Sequence, residues 1–301
     1  MKGRRIFFLL SVNLKFVWNT MRYSSNRYFQ QGTTCIIFSR DRALQLEALI
    51  RSIETYSKSS FKVIIQYSCS SNHRKSYNDL IEQFKLNKRY TFIEEQSFSS
   101  ELKDVIKSIK TQYVFFLVDD QVFVRPFDLE EVVKIMTNKS FFSLRLGLSI
   151  TDFGIFERKL EPKYAINGKF LEWSWKLNKD QKDWGYQFSV DGTVYKSIDV
   201  LRGAMSIPFK APNSFEDNMN SVCMFRSDNK GISYLQPVVI NLIVNASRQE
   251  KEYEHFESGE YSTDDMLKLW CSGIRFSLEK ISSIVFSSTH YIIRDINSII
   301  V

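Results

Sequence analysis

From Thr33 the chain alternates short apolar runs with stretches whose apolar positions recur every three or four residues. Residues 34–38 (Thr-Cys-Ile-Ile-Phe) have the length and composition of a buried strand. Asp41 stands where it can cap a following helix, in which Leu44, Leu46, Leu49, Ile50 and Ile53 mostly keep helical spacing. The pattern then repeats. Residues 61–67 predict a second strand, and Tyr77, Leu80, Ile81 and Phe84 a second helix. Residues 90–93 predict a third strand, and Leu102, Val105, Ile106 and Ile109 a third helix opened by Ser99 or Ser100. Residues 113–118 predict a fourth strand. Three strand-helix units leading into a fourth strand predict a parallel sheet with right-handed crossovers, an α/β fold.

The second half changes character. An apolar run at 141–146 is followed by Trp173, Trp175 and Trp184. Residues 188–195 predict a strand or tight turn around Asp191-Gly192. Pro208 and Pro212 break the chain ahead of a capped helix starting at Ser214. Thr263 is positioned to cap a helix over 263–269, and 282–293 looks β-rich. The organisation expected is a basic arm at 1–32, a nucleotide-binding α/β half at 33–128, and a mixed acceptor-side half at 129–301 that shares the sheet.

Charge sharpens the reading of the arm. The chain of 301 residues carries a formal charge of +7, from 41 Lys and Arg against 34 Asp and Glu. The first forty residues hold Lys2, Arg4, Arg5, Lys15, Arg22, Arg27 and Arg40 and no acid, so the remainder is formally neutral. The basic balance therefore describes an N-terminal arm, and no nucleic-acid partner is expected for the folded core. The arm also carries Ile6, Phe7, Phe8, Leu9, Leu10, Val12, Leu14, Phe16, Val17, Trp18 and Met21. Asn13 and Lys15 interrupt this stretch, which is too short to span a bilayer. Peripheral contact of residues 1–30 with a membrane surface is expected, with a signal anchor, a transit peptide or a core-packing extension as competing readings. Cys35, Cys69, Cys223 and Cys271 show no metal-ligand spacing, and buried reduced thiols are expected. Together these features suit a cytoplasmic protein, peripheral at the cytosolic membrane face.

The chemistry concentrates at Asp119-Asp120, directly after the fourth apolar run. The C-terminal edge of a parallel sheet is where ligands bind in open α/β folds. Adjacent carboxylates repel, so a cation belongs beside them, and a divalent metal carrying a phosphate is the natural candidate. A turn after a strand would also favour Asp. Three scattered histidines, His73, His255 and His290, form no H-x-x-x-H pair. There is no G-x-S-x-G elbow and no Walker loop.

These residues carry a resemblance. The run Phe-Leu-Val-Asp-Asp, after an N-terminal βαβαβα unit, resembles the D-x-D region of nucleotide-sugar-dependent glycosyltransferases of the GT-A fold, closest to their family-2-like bacterial group. Phe38-Ser-Arg-Asp-Arg42 is similar to the family's nucleotide-binding first loop. Asp191-Gly192 is similar to its acceptor-side glycine turn, and Phe215-Glu-Asp217 to its late Glu-Asp motif. The likeness runs in order from Thr33 to Met224. It implies a Rossmann-like, mostly parallel sheet flanked by helices, with a mixed acceptor-side subdomain. It implies an inverting transfer of a hexosyl unit from a nucleotide-diphosphate sugar to a saccharide or lipid-linked saccharide, as in polysaccharide biosynthesis. Nucleotide-sugar contacts are expected from Ser39, Arg40, Asp41, Arg42, Ser68 and Asp119. Asp119, Asp120 and Gln121 would hold Mn2+ or Mg2+, with Gln121 standing where a strict D-x-D has an acid. Asp217 is the expected general base and Glu216 the second choice. Asp191, Gly192, Trp173, Trp175 and Trp184 would contact the acceptor, the indoles as a stacking platform.

Three other readings compete. A nucleotidyltransferase shares the fold type, yet residues 39–43 have no glycine to cradle a triphosphate. A dehalogenase-like phosphatase needs a second Asp two positions after its nucleophile, where Gln121 stands. A non-catalytic carbohydrate-binding relative would keep the fold without the chemistry.

Overall fold

The computed structural model describes residues 2–23, 29–153, 158–245 and 261–301. Part of the expected basic arm, residues 24–28 with Arg27, lies outside them. The chain opens with helix α1 (Lys2–Arg22) and then strand β1 (Gln30–Arg40), α2 (Ala43–Tyr56), β2 (Lys62–Ser68), α3 (Arg74–Phe84), β3 (Tyr90–Glu94), α4 (Phe98–Ser108) and β4 (Thr111–Val118). After the acidic pair come β5 (Gln121–Phe123), α5 (Leu129–Ile135), β6 (Ser140–Ser143), β7 (Asp152–Phe153), β8 (Arg158–Lys159), β9 (Ala165–Asn167) and β10 (Phe170–Ser174). Then follow β11 (Thr193–Lys196), α6 (Ser197–Ala204), α7 (Pro212–Met219), β12 (Lys230–Tyr234) and β13 (Val239–Ile243). The described chain closes with α8 (Thr263–Cys271), α9 (Leu278–Ser282) and β14 (His290–Ile292).

Nine strands form one sheet in the order β3-β2-β1-β4-β11-β6-β12-β10-β9. The first four are parallel, β11 runs antiparallel to both its neighbours, and β12 is again parallel to β6. The period of two along β1 and β4 divides the core between the two faces. Cys35, Ile37, Phe115 and Leu117 pack on one face with α2, α3 and α8. Ile36, Phe38, Val114 and Phe116 pack on the other with α4, α6 and α7. Each of these strand side chains is nearly or fully buried, which is worth about 1.5–3 kcal/mol apiece for the larger ones.

A second, three-stranded sheet, β14-β13-β5, grows from the end of β4. Its register sets Gln121 opposite Asn241 and Asn241 opposite His290. One row of polar residues thus leads away from the acidic pair. The expected helix caps differ in detail. Ser97 precedes α4, and Ser262 caps α8 by accepting from the Asp265 N–H at 3.1 Å. Of the 282–293 stretch, only residues 290–292 form a strand. Cys35 is buried, but Cys223 and Cys271 are exposed, so burial does not describe all four thiols.

Candidate active site

The parallel strands end where the chain becomes polar. β1 delivers Ser39 and Arg40, and β4 delivers Asp119 and Asp120 beside them. The Asp119 carboxylate accepts from the Arg40 N–H at 2.9 Å and from Arg42 Nη1 at 3.0 Å. Arg42 is itself buried and lies 3.7 Å from Asp120. Its other terminal nitrogen donates to the Asn245 carbonyl. Tyr77, fully buried on α3, fixes this corner: its hydroxyl meets Ser39 Oγ at 2.6 Å and accepts from the Arg42 N–H at 3.1 Å.

Asp41 departs from the expected helix cap. It adopts φ +53°, and Arg42 takes the capping position instead. A non-glycine residue in the left-handed region is uncommon, and Asp tolerates it better than most. Its carboxylate accepts from the Ser70 N–H at 2.6 Å, while its own N–H reaches the Ser68 carbonyl at 3.3 Å. Asp41 therefore ties the end of β1 to the end of β2.

Asp120 is placed differently from Asp119. It accepts from Asn241 Nδ2 at 3.1 Å, and its backbone carbonyl accepts from Leu242 at 2.7 Å. Burial pushes its pKa up to about 7, and the charges of Asp119 and Asp191 push in the same direction. Arg42, shared with Asp119, is the largest influence opposing that rise. Gln121 has no vacancy to offer a metal. It is fully buried, its Oε1 accepts from Val118 N–H at 3.1 Å, and its Nε2 donates to Asn241 Oδ1 at 3.2 Å. The expectation of Gln121 as a ligand is corrected: it orients Asn241, which in turn holds Asp120.

Asp191 precedes β11, the strand paired with β4. Its neighbour Gly192 has φ +80°, and a Cβ there would lie 3.0 Å from Val239. Gly192 also donates to the Phe116 carbonyl and accepts from Leu144 N–H, so it stitches β4 to the chain after β6. The glycine sets the turn that aims Asp191. Asp191 accepts from Arg145 at 2.7 Å, and the same buried guanidinium donates to Asp183 at 3.1 Å. Asp183 also accepts from Thr289 Oγ1 at 2.6 Å, and Thr289 lies 3.1 Å from the His290 ring.

Glu216 and Asp217 point apart. Glu216 accepts from the Val190 N–H at 3.0 Å. Burial raises its pKa to about 8, with Asp191 adding to the rise and Arg145 opposing it. The Val190 contact ties Glu216 to the residue before Asp191, and the charge of Asp191 raises the pKa of both Asp120 and Glu216. Asp217, one residue on around the helix, is exposed and accepts from the Tyr186 hydroxyl at 3.0 Å.

The tryptophans do not line this site. Trp173, Trp175 and Trp184 are 4%, 1% and 0% exposed, and they pack edge to face around Trp173. Trp173 donates to the Trp184 carbonyl at 3.1 Å and lies where a Cβ on Gly231 would intrude to 2.0 Å. A stacking platform needs an open ring face, so the expected acceptor role for the three indoles is corrected to core packing.

Arg145, Asp183, Asn241 and His290 belong to the site and escaped the sequence reading. Arg145 and Asn241 did leave a signal, Arg145 as the lone charge and Asn241 as the lone polar residue inside an apolar run. Asp183 left none, because it lies among other charged residues.

No family model matches the chain. The bifunctional glycosyltransferase pgtA of Dictyostelium discoideum is 27% identical over 223 residues, which is 64% of this chain. Over that stretch the chain is similar to this bifunctional glycosyltransferase. It spans 29% of the length of pgtA. Among solved structures, TarS of S. aureus (residues 1–349, in complex with UDP) aligns with a TM-score of 0.47 at 12% identity, over 69% of this chain and 59% of that one. The mannosyltransferase PcManGT of Pyrobaculum calidifontis, in complex with GDP-Man and Mn2+, aligns with a TM-score of 0.30 at 13% identity, over 46% of this chain and 45% of that one.

A divalent metal is the group that the resemblance to GT-A enzymes implies. Among the described residues no three His, Cys, Asp or Glu side chains gather into a metal-binding cluster. Asp120 nonetheless suits one edge of such a site. Magnesium-like ions are held by one or two carboxylates completed by substrate phosphates, and Asp120 shares its nearby cation, Arg42, with Asp119. Asp119 is less suited, because both its oxygens are committed to Arg42 and Arg40.

Proposed function

We propose that this GT-A-like chain transfers a sugar from a nucleotide-diphosphate donor to an acceptor hydroxyl, with inversion. The observation that carries the reading is the placement of Asp120 at the C-terminal end of β4, of Asp191 ahead of the adjacent strand β11, and of Glu216 against the Val190 N–H beside Asp191. The sequence match to a glycosyltransferase supports it. The nucleoside would lie over the ends of β1 and β2, near Arg40, Asp41 and Ser68, as ligands do at such edges. Arg42 is committed to the acidic pair, so the exposed Arg40 is the cation left to meet the diphosphate. Asp120 would hold Mn2+ or Mg2+ jointly with diphosphate oxygens, and the ion would supply neutralisation of the leaving group.

Glu216 is the general base in this reading, ahead of Asp217. It is adjacent in charge to Asp191 and Arg145, whereas Asp217 is exposed and bonded to Tyr186. The acceptor oxygen attacks the anomeric carbon as the bond from that carbon to the diphosphate oxygen breaks. Its proton passes to Glu216, and the nucleoside diphosphate leaves with the bonding pair. The transition state is oxocarbenium-like, as in glycoside hydrolysis. Asp191, held at 2.7 Å by Arg145, would orient the acceptor or sugar hydroxyls.

The test is a thermal-shift and hydrolysis screen of nucleotide-diphosphate sugars with and without Mn2+. Stabilisation by one donor class, with metal-dependent release of its nucleotide diphosphate that Asp120→Asn removes, is the expected result. Full activity in Asp120→Asn would overturn the assignment of the diphosphate end.

A further inference from the structure

Helix α1 has two apolar faces, and only one is used. Val12 and Asn19 are buried against the body of the protein, with Phe8 and Phe16 packed beside them. Polar contacts fix the docking: Asn19 Nδ2 donates to Ser206 Oγ at 3.0 Å, Asn13 Oδ1 accepts from Cys223 N–H at 2.7 Å, and the carbonyl of Tyr23, just past the helix, accepts from Arg202 at 2.7 Å. The opposite face is bare. Phe7, Leu14 and Met21 are 70% exposed or more, and Ile6, Leu10, Val17 and Trp18 are over half exposed. With 3.6 residues per turn these seven positions form one stripe about 120° wide, diametrically opposite the docked face.

We propose that this stripe docks the protein onto an anionic membrane surface. Charge selects the occupant. The helix carries Lys2, Arg4, Arg5, Lys15 and Arg22 and no acid, and the exposed Lys15 and Arg22 lie along one flank of the stripe. Arg22 also lies 5.1 Å over the Trp18 ring, a basic-aromatic pair suited to the headgroup layer. A second copy of α1 would meet the stripe with the same uncompensated positive charge. Among the described residues no helix is long and apolar enough to cross a membrane, so the helix lies in the interface. The docking is independent of the transfer reading, because neither donor nor acceptor enters it.

The test uses the full chain and vesicles of phosphatidylcholine, with or without a third of phosphatidylglycerol. Co-sedimentation is read at low and physiological salt. Trp18 is the one exposed indole of the five, so its emission reports insertion. Binding confined to the anionic vesicles, with a blue shift of emission and weakening in salt, is expected. Leu14→Asp with Val17→Asp should abolish binding. Arg5→Gln, Lys15→Gln and Arg22→Gln together should weaken it by about a hundredfold, at roughly fivefold per charge. All five side chains are exposed, so the melting temperature should hold in both variants. Absence of binding, equal binding to neutral vesicles, or binding that survives Leu14→Asp with Val17→Asp would each overturn the proposal. So would a vesicle-free dimer that the same pair of substitutions dissociates, since the stripe would then be a seam between copies.

Discussion

Replacing Arg42 by Met removes a buried guanidinium while keeping an apolar stem of similar reach. Arg42 is 7% exposed and is shared among Asp119 at 3.0 Å, Asp120 at 3.7 Å and the Asn245 carbonyl. Breaking a buried pair from one side leaves the other charge stranded, which costs about 3–5 kcal/mol. At about 2 °C per kcal/mol for a chain of this size, the melting temperature should fall by roughly 6–10 °C. The loss should depend on pH. Burial already holds Asp119 above the usual carboxylate range, and Arg42 is the largest influence opposing that rise. Without Arg42 the Asp119 pKa climbs further, so the folded variant keeps its proton to higher pH than the unfolded chain does. The deficit is therefore smallest in acid, where Asp119 is protonated in both states, and grows as pH rises through the folded value. Urea denaturation of Arg42→Met, Asp119→Asn and the double variant across pH 4–8 reads both effects. The double variant should cost less than the sum of the singles by about 1–3 kcal/mol. A deficit below about 1 kcal/mol, a deficit flat with pH, or strict additivity would refute the reasoning.

Three further outcomes follow from the site and its support. Glu216→Gln should lower transfer by at least about a hundredfold, the usual scale of general-base catalysis, while donor-induced thermal stabilisation persists. Its raised pKa means that the wild-type rate should climb with pH through about 8, and a rate flat over that range would count against Glu216 as base. Stability runs the opposite way, because the folded state holds the Glu216 proton more tightly. That contribution is complete below about 4.5 and is lost as pH rises through about 8, so Glu216→Gln should flatten this decline in denaturation curves. Trp184→Ala should cost about 3–5 kcal/mol in stability, a core effect. An acceptor KM that rises in Trp184→Ala at unchanged stability would restore the stacking role.

The first half of the fold was legible because it is locally consistent. Residues 34–38, 62–67, 90–93 and 113–118 all lie in parallel strands, and each is followed by a polar turn. The acidic pair was legible for the same reason, since a buried run can end only where its polar successors find water or a ligand. What stayed hidden depends on pairing across the chain. Gln121 and Asn241 lie 120 residues apart, and only the β5–β13 register brings them together. Arg145 and Asp183 meet through loops that carry no periodicity. The indoles misled for a different reason: sequence gives composition, while burial decides whether an aromatic face is open. The Asp217 preference came from the resemblance to a Glu-Asp motif, and neighbouring helical positions point about 100° apart. The motif alone could not say which of the two faces Asp191.

The central claim is that Glu216 takes the acceptor proton while Asp120 serves the diphosphate. It is tested most directly by single-turnover transfer with the donor and acceptor found by screening, comparing wild type, Glu216→Gln and Asp217→Asn at saturating donor. The account predicts a loss of at least about a hundredfold for Glu216→Gln and less than about tenfold for Asp217→Asn, with donor binding retained in both. Near-wild-type turnover in Glu216→Gln, together with collapse in Asp217→Asn, would contradict it.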